Sequence, residues 1–421
     1  MSFAVGILIL IAGVLVSIGL HEIGHMLPAK KFGVKVPEYS IGFGPTIYKW
    51  RRGETTYFLK AIPLGGYVRM AGMFPPPKAE PARGADGRLT WAEEARAEAR
   101  ADIGPGEGHR AFSALPAWKK LIIMFGGPIT NWLLAGAIIA IVFVGIGVPA
   151  LTAKISNVPP CLNGEQCTNP DSPAFLAGLA PGDIVTSWDG DPIDDWDSLA
   201  EAIRAGGTDP VTVEIMRGGN ELSLMVEPVE TVRVITDADG TETEEAAPFV
   251  GVSPSLELQP RSIAEVPGTL MEATGATAGV LLSLPTQLWS AVQSMVGDEP
   301  AEDRSVVSIV GVGHMAGSIA SAPSEDYTLQ MRAVDMLMLI ASLNLALFIF
   351  NMIPLLPLDG GHIVGALWEG ARRTVAKAAG RPDPGPVDLA PLMKAAYWVL
   401  GGLLLMTVIL VWADIANPIA G

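Results

Sequence analysis

Cysteine is almost absent from this chain: Cys161 and Cys167 are the only two among 421 residues, so no disulfide framework can carry the fold. Charge is scarce too. Charged residues make up 17% of the chain and hydrophobic ones 49%, with a mean hydropathy of +0.38. Soluble domains carry about 25% charged residues, so the deficit points to a chain partly dissolved in lipid. Basic residues are outnumbered by acidic ones, 28 to 44, for a net charge of −16. That balance excludes nucleic acid as a partner.

Long apolar runs are what the chain has in abundance. Four stand out, at 3–27, 118–148, 333–357 and 396–416, each with the ~20 residues that cross a bilayer core of ~30 Å. The first lacks the basic leader and small-residue cleavage site of a signal peptide and reads as a retained span. A fifth run, 278–297, carries Pro285, Gln287 and Gln293, which suits an amphipathic interfacial helix better than a span.

Charge then orients the spans. Ala29 to Lys120 holds 16 Lys/Arg against 9 Asp/Glu, whereas Pro149 to Met331 holds 6 against 28. The loop after the third run is basic again, with Arg372, Arg373, Lys377, Arg381 and Lys394. Basic loops stay cytoplasmic. Four spans fit this alternation, with both termini and the acidic segment extracytoplasmic; five do not.

The segment 150–255 reads as a separate outer domain, with a strand, a short helix at AFLAGL, a strand at DIVTSW, a longer helix at WDSLAEAIRA and a hairpin turning at Gly218-Gly219. The cysteines fall in it, on the oxidising side where a bridge between Cys161 and Cys167 is permitted. The chain divides accordingly into a membrane part at 1–148, the outer domain at 150–255, an extracytoplasmic amphipathic helical segment at 256–331 and a second membrane part at 332–421. The Pro-rich and then Ala/Glu/Arg-rich stretch 75–110 reads as a cytoplasmic linker with a short surface helix.

The chemistry sits near the end of the first run. In His21-Glu22-Ile23-Gly24-His25 the two histidines share a helix face and can grip one metal ion, with Glu22 beside it to take a proton from water. A carboxylate in a membrane helix costs about 2.5–3.5 kcal/mol, so three such groups within one helical turn and a half call for a compensating role. A catalytic zinc usually has three protein ligands plus water. Asp335 and Asp414 open and close spans and read as interfacial, whereas Asp359 follows the third run at the same cytoplasmic depth as Glu22. His362 is a rival third ligand, with an outer role more fitting. Pro354 and Pro357 break the helix just before Asp359.

These residues carry a family resemblance. HEIGH at 21–25 and NMIPLLPLDG at 351–360 look like the two signatures of the site-2 protease family of intramembrane zinc metalloproteases. Further matches are Gly42-Phe43-Gly44-Pro45, Leu64-Gly65-Gly66-Tyr67-Val68, Gly126-Gly127-Pro128 with Asn131, and Ser308-Ile309-Val310-Gly311. The outer domain resembles a PDZ domain through Ala177-Gly178-Leu179, Gly182-Asp183-Ile184 and the Gly190 turn. The closest likeness is to the bacterial regulator-of-sigma-factor branch, of an actinobacterial type with one PDZ unit.

The resemblance implies a four-helix membrane protein with a membrane-re-entrant β-hairpin over 42–70 and an inserted α+β PDZ-like domain. Its strands would lie around Thr56–Ile62 and Gly66–Met70. One Zn2+ per chain would be held by His21, His25 and Asp359, with Glu22 as general base and Asn351, Gly65, Gly66 and Tyr67 contacting substrate. Substrates would be transmembrane segments of single-span proteins in a bacterial cell membrane, anti-sigma factors or signal-peptide remnants, with peptide ends bound at the PDZ-like domain. Asn131 would either bond a neighbouring helix or border the site. The rival reading is an inert metal-binding scaffold that recruits partners through its PDZ domain.

Overall fold

The computed structural model describes residues 2–77, 81–83, 87–162, 171–236, 242–289, 307–322 and 327–416. They form two compact units, one of Met1–Gly145 with Ser262–Gly421 and one of Ile146–Arg261.

The first unit holds four helices long and apolar enough to cross a membrane: Phe3–Lys31 (α1), Ala117–Ile146, Leu329–Asn351 and Ala390–Asp414. The second of these is an α-helix over Ala117–Ala140 (α3) that continues as a π turn, Ile141–Ile146. Between α1 and α3 come strands Glu38–Arg52 (β1) and Thr55–Arg69 (β2) and a surface helix, Trp91–Arg100 (α2). The third long helix, Leu329–Asn351, is α8 and the fourth contains the α-helix Met393–Ala416 (α10); the others described are Val266–Leu282 (α6), Ile309–Ser321 (α7) and Asp359–Ala378 (α9). Of the apolar run 278–297, the part from 290 onward lies outside the described residues.

Small residues let the long helices touch, as packing in lipid favours. A methyl group on Gly24 of α1 would fall 2.3 Å from the Gly126 carbonyl of α3, and one on Gly6 would fall 2.1 Å from that of Ala316 in α7. Asn344 of α8, fully buried, donates to Ser17 Oγ of α1 at 2.9 Å. The third apolar helix ends at Asn351, six residues short of the run that announces it, and α9 then begins at Asp359.

The β-hairpin departs from expectation. Its two-residue turn is Gly53-Glu54, with Arg52 opposite Thr55, and not the segment between Ile62 and Gly66. The reason is that Glu38–Ile41 is itself a strand with two neighbours, pairing with Thr56–Leu59 on one side and with Gly66–Arg69 on the other. Tyr39 ties this sheet to α1 by donating to the Gly19 carbonyl at 2.8 Å.

The second unit follows the order read from sequence: Val148–Asn157 (β3), Pro173–Leu176 (α4), Ile184–Trp188 (β4), Trp196–Ala205 (α5), Val211–Arg217 (β6) and Asn220–Val226 (β7). The β6–β7 turn is Gly218-Gly219, both left-handed at φ 58° and 85°, the geometry that matches strand twist. A two-residue strand, Asp191–Pro192 (β5), pairs with β4. The sequence reading missed a second hairpin, Val229–Thr236 (β8) with Glu242–Phe249 (β9), and Ser253–Gln259 (β10), which joins the sheet in the order β10-β3-β4-β6-β7. Cys161 is disulfide-bonded; Cys167, the chain's other cysteine, lies outside the described residues.

Candidate metal centre

Helix α1 brings His21, Glu22 and His25 to its inner side, where Glu22 and His25 are buried. His25 Nδ1 lies 2.8 Å from the Ile123 carbonyl of α3. A carbonyl only accepts, so it holds the proton on Nδ1 and leaves the Nε2 lone pair free. That Nε2 lies 3.2 Å from His21 Nε2. Asp359, in the first turn of α9, sets its Oδ2 3.3 Å from each of the two nitrogens.

Three electron-rich atoms thus converge from two helices. Four ligands in a tetrahedron about 2.0 Å from a zinc ion would be about 3.3 Å apart, the spacing found here. Asp359 Oδ2 has no hydrogen-bond donor among the described residues, although it is buried. The donor set and its spacing therefore fit a metal ion, and these are the residues able to hold one.

Glycines make the convergence possible. A methyl on Gly127 of α3 would fall 2.2 Å from His25 Nε2 and 2.7 Å from His21 Nε2. Only a bare backbone leaves room for both rings. A methyl on Gly360 would meet the Ile353 carbonyl at 2.1 Å, so the chain can fold back tightly enough to aim Asp359 only with glycine there.

The hairpin closes the other side. A methyl on Gly66 would lie 3.1 Å from Glu22 Cγ, and the Val68 amide donates toward the Glu22 carboxylate. Gly65 is left-handed at φ 91° and packs on Phe43, while the Tyr67 hydroxyl donates to Glu38 Oε2 at 3.1 Å. Asn351 donates to the Leu347 carbonyl of its own helix at 3.0 Å. Asn131, one turn beyond Gly127 on α3, is fully buried with neither amide atom partnered among the described residues. Among the described residues it makes no bond to a neighbouring helix.

Behind the site, Lys120 of α3 and Glu369 of α9 form a buried ion pair at 2.7 Å, and Glu369 also accepts from the Val387 amide at 3.0 Å. The pair clamps the helix that carries Gly127 to the helix that carries Asp359. Sequence reasoning missed it, along with the Ile123 carbonyl, and named Gly127 only within a family match, without a role. The Gly-Gly-Pro interruption of an apolar helix was the one available signal for Gly127.

The family model for "Peptidase family M50" matches residues 9–381. The chain belongs to peptidase family M50, the site-2 protease family. Among curated M50 relatives it is similar to zinc metalloprotease Rip1 of Mycobacterium tuberculosis, 33% identical over all of this chain and 99% of that protein. Rip1 of Mycolicibacterium smegmatis is 31% identical over the same shares. Zinc metalloprotease RasP of Oceanobacillus iheyensis is 26% identical over 97% of each. This M50 chain is a zinc metalloprotease.

Proposed function

We propose that the chain is an intramembrane endopeptidase that cuts the transmembrane segments of single-span proteins in a bacterial cell membrane. The observation that carries this reading is the meeting of His21, His25 and Asp359 with Glu22 on one side and a sheet edge, Gly66–Arg69, on the other. His21, His25 and Asp359 would hold the zinc. When bound, zinc lowers the pKa of a water from 15.7 to about 7 and polarises a carbonyl. The Glu22 carboxylate takes the water's proton and returns it to the leaving amine nitrogen, and the Val68 amide keeps that carboxylate turned to the site.

A helical substrate hides each peptide carbonyl in its own hydrogen bonds, so the target must unwind before attack. The re-entrant edge of β2 receives it as an added strand, with Gly65, Gly66 and Tyr67 as the contact residues. Asn131 borders the site and offers an unpaired amide to the substrate backbone, and Asn351, the last residue of α8, positions the same backbone. Anti-sigma factors and signal-peptide remnants fit as substrates. The outer unit is a PDZ-like domain that binds peptide ends, and with both termini it lies outside the cytoplasm.

The test is cleavage of a tagged single-span substrate by purified wild type and Glu22→Gln protein, with bound zinc quantified in both. Cleavage should fall at least about 1,000-fold, with zinc retained near one per chain. Equal cleavage by the two proteins would overturn the role of Glu22 as general base, and neither zinc nor cleavage in either would overturn the reading and favour an inert scaffold.

A further inference from the structure

Helix α2 turns one side toward the β-hairpin. Trp91, Glu94, Ala95 and Glu98 recur at helical spacing, and opposite them runs the end of β2, from Tyr67 to Met70. Between the two lies a groove of about 490 Å³. Trp91 packs edge-on against Tyr397 of α10, with ring centroids 4.9 Å apart, and both rings line it.

The groove is acidic within a segment that is otherwise basic. Glu38, Glu94 and Glu98 line it against one cation, Arg69. That cation is already held by Glu38 at 3.4 Å and Asp102 at 3.1 Å. Glu94 and Glu98 are exposed and have no ion-pair partner among the described residues. Glu93 of the same helix behaves differently: it is buried and bound by Arg96, which also holds Asp388. One carboxylate anchors α2, and two stand free along the groove.

The groove is continuous with the catalytic edge. Among the described residues, the strand Gly66–Arg69 pairs with Glu38–Ile41 on one side only. Gly66 sits at Glu22, and Met70, four residues on, lines the groove; that distance is about 13 Å of extended chain. A peptide laid along this edge with a bond at Glu22 reaches Glu94 and Glu98 within a few residues. Single-span proteins carry an excess of Lys and Arg just cytoplasmic of their span.

The geometry points to this groove as the docking site for the basic cytoplasmic juxtamembrane segment of the substrate, with Glu94 and Glu98 selecting for Lys and Arg. This inference rests on the protease reading above and names what sets its substrate preference.

The test uses the full-length protein and two single-span substrates identical except for six flanking residues, alternating Lys and Arg in one and Gln and Ser in the other. The double variant Glu94→Gln/Glu98→Gln should raise KM for the basic flank about five-fold, the scale of two exposed charge pairs. Its kcat should be unchanged, as should its KM for the neutral flank. The wild-type preference should vanish in 0.5 M salt. Equal effects on both substrates, or none on either, would overturn the proposal.

Binding of the same two segments to Glu22→Gln protein, read by fluorescence anisotropy, separates this inference from the one beneath it. If the wild type cuts neither substrate while the basic one still binds better through Glu94 and Glu98, the protease reading falls and the groove stands. If the wild type cuts both and neither segment binds preferentially, the groove falls alone.

Discussion

Residues Ile146–Arg261 bury apolar side chains such as Leu199, Val213 and Ile215 and turn most of their charge outward, Asp183 excepted. The unit of Met1–Gly145 and Ser262–Gly421 does the opposite over much of its surface. Leu8, Leu133 and Leu404 are about 60% exposed on its long helices, while Glu22, His25, Lys120, Asn131, Asn344 and Glu369 are buried. Water drives the first arrangement through the hydrophobic effect. Lipid permits the second, because a polar group there is cheapest when another polar group, a metal or a substrate faces it. In the outer unit, therefore, a buried polar side chain signals a structural bond. In the membrane unit it also signals chemistry.

Gly127→Ala is the sharpest way to break that comparison, since it adds a single apolar methyl and no charge. The methyl would fall 2.2 Å from His25 Nε2, and the ring cannot swing aside while the Ile123 carbonyl holds its Nδ1 at 2.8 Å. Zinc affinity and cleavage should each fall about 100-fold, the scale seen when groups supporting metal ligands are disturbed. Thermal unfolding of the outer unit should not move. Measuring bound zinc by mass spectrometry alongside cleavage would decide it, and full zinc occupancy with full activity would show that the rings have more freedom than their packing allows.

Much of this site is legible in sequence because its parts are local. His21, Glu22 and His25 need only helical spacing to be read together. Asp359 is 334 residues beyond His25 and is reached by a weaker argument, from membrane depth and the flanking prolines. The hairpin register was misread because Gly53 and Gly65-Gly66 offer equally good turns, and no local pattern reveals that Glu38–Ile41 pairs on both sides. Gly127 and the Ile123 carbonyl matter only through the crossing of α1 and α3, which is a property of two backbones rather than of any motif. Lys120 stands at the start of an apolar run, where nothing local marks a partner. Its partner Glu369 lies 249 residues away.

That ion pair sharpens the comparison at the level of stability. Lys120 and Glu369 are 4% and 2% exposed, so Lys120→Met would remove the nearer of two cations from a buried carboxylate and leave it Arg373, at 3.2 Å. Removing one member of such a pair costs about 3–5 kcal/mol, whereas replacing both by apolar groups is often close to neutral. Lys120→Met should accordingly lower the thermal midpoint and loosen zinc binding, by shifting α9 and Asp359. Lys120→Met/Glu369→Leu should recover most of both in a detergent melt. If the double variant recovers stability and not zinc, the pair serves the ligand geometry; if it recovers neither, Glu369 acts through the Val387 amide instead.

The smallest effect belongs to the outer unit, where the buried polar group is structural. Asp183 is 1% exposed and receives Arg217 Nε and Nη2 at 2.6 and 2.7 Å, with the Ala180 amide at 2.8 Å. Burial alone would raise its pKa, but the Arg217 guanidinium and that amide outweigh it and hold the carboxyl below its usual 3.8. A carboxyl depressed in the folded state stabilises above the unfolded value, and that contribution is lost as pH falls below about 3.8. Arg217→Ala should thus destabilise this unit at pH 7, and the deficit relative to wild type should shrink between pH 4 and pH 2. Chemical denaturation followed by a tryptophan signal from Trp188, in the core of this unit, would read it, with zinc content unchanged throughout. A loss that is flat with pH would mean that Arg217 stabilises by bonding the Gly178 carbonyl, 2.7 Å from its Nη2, rather than by pairing with Asp183.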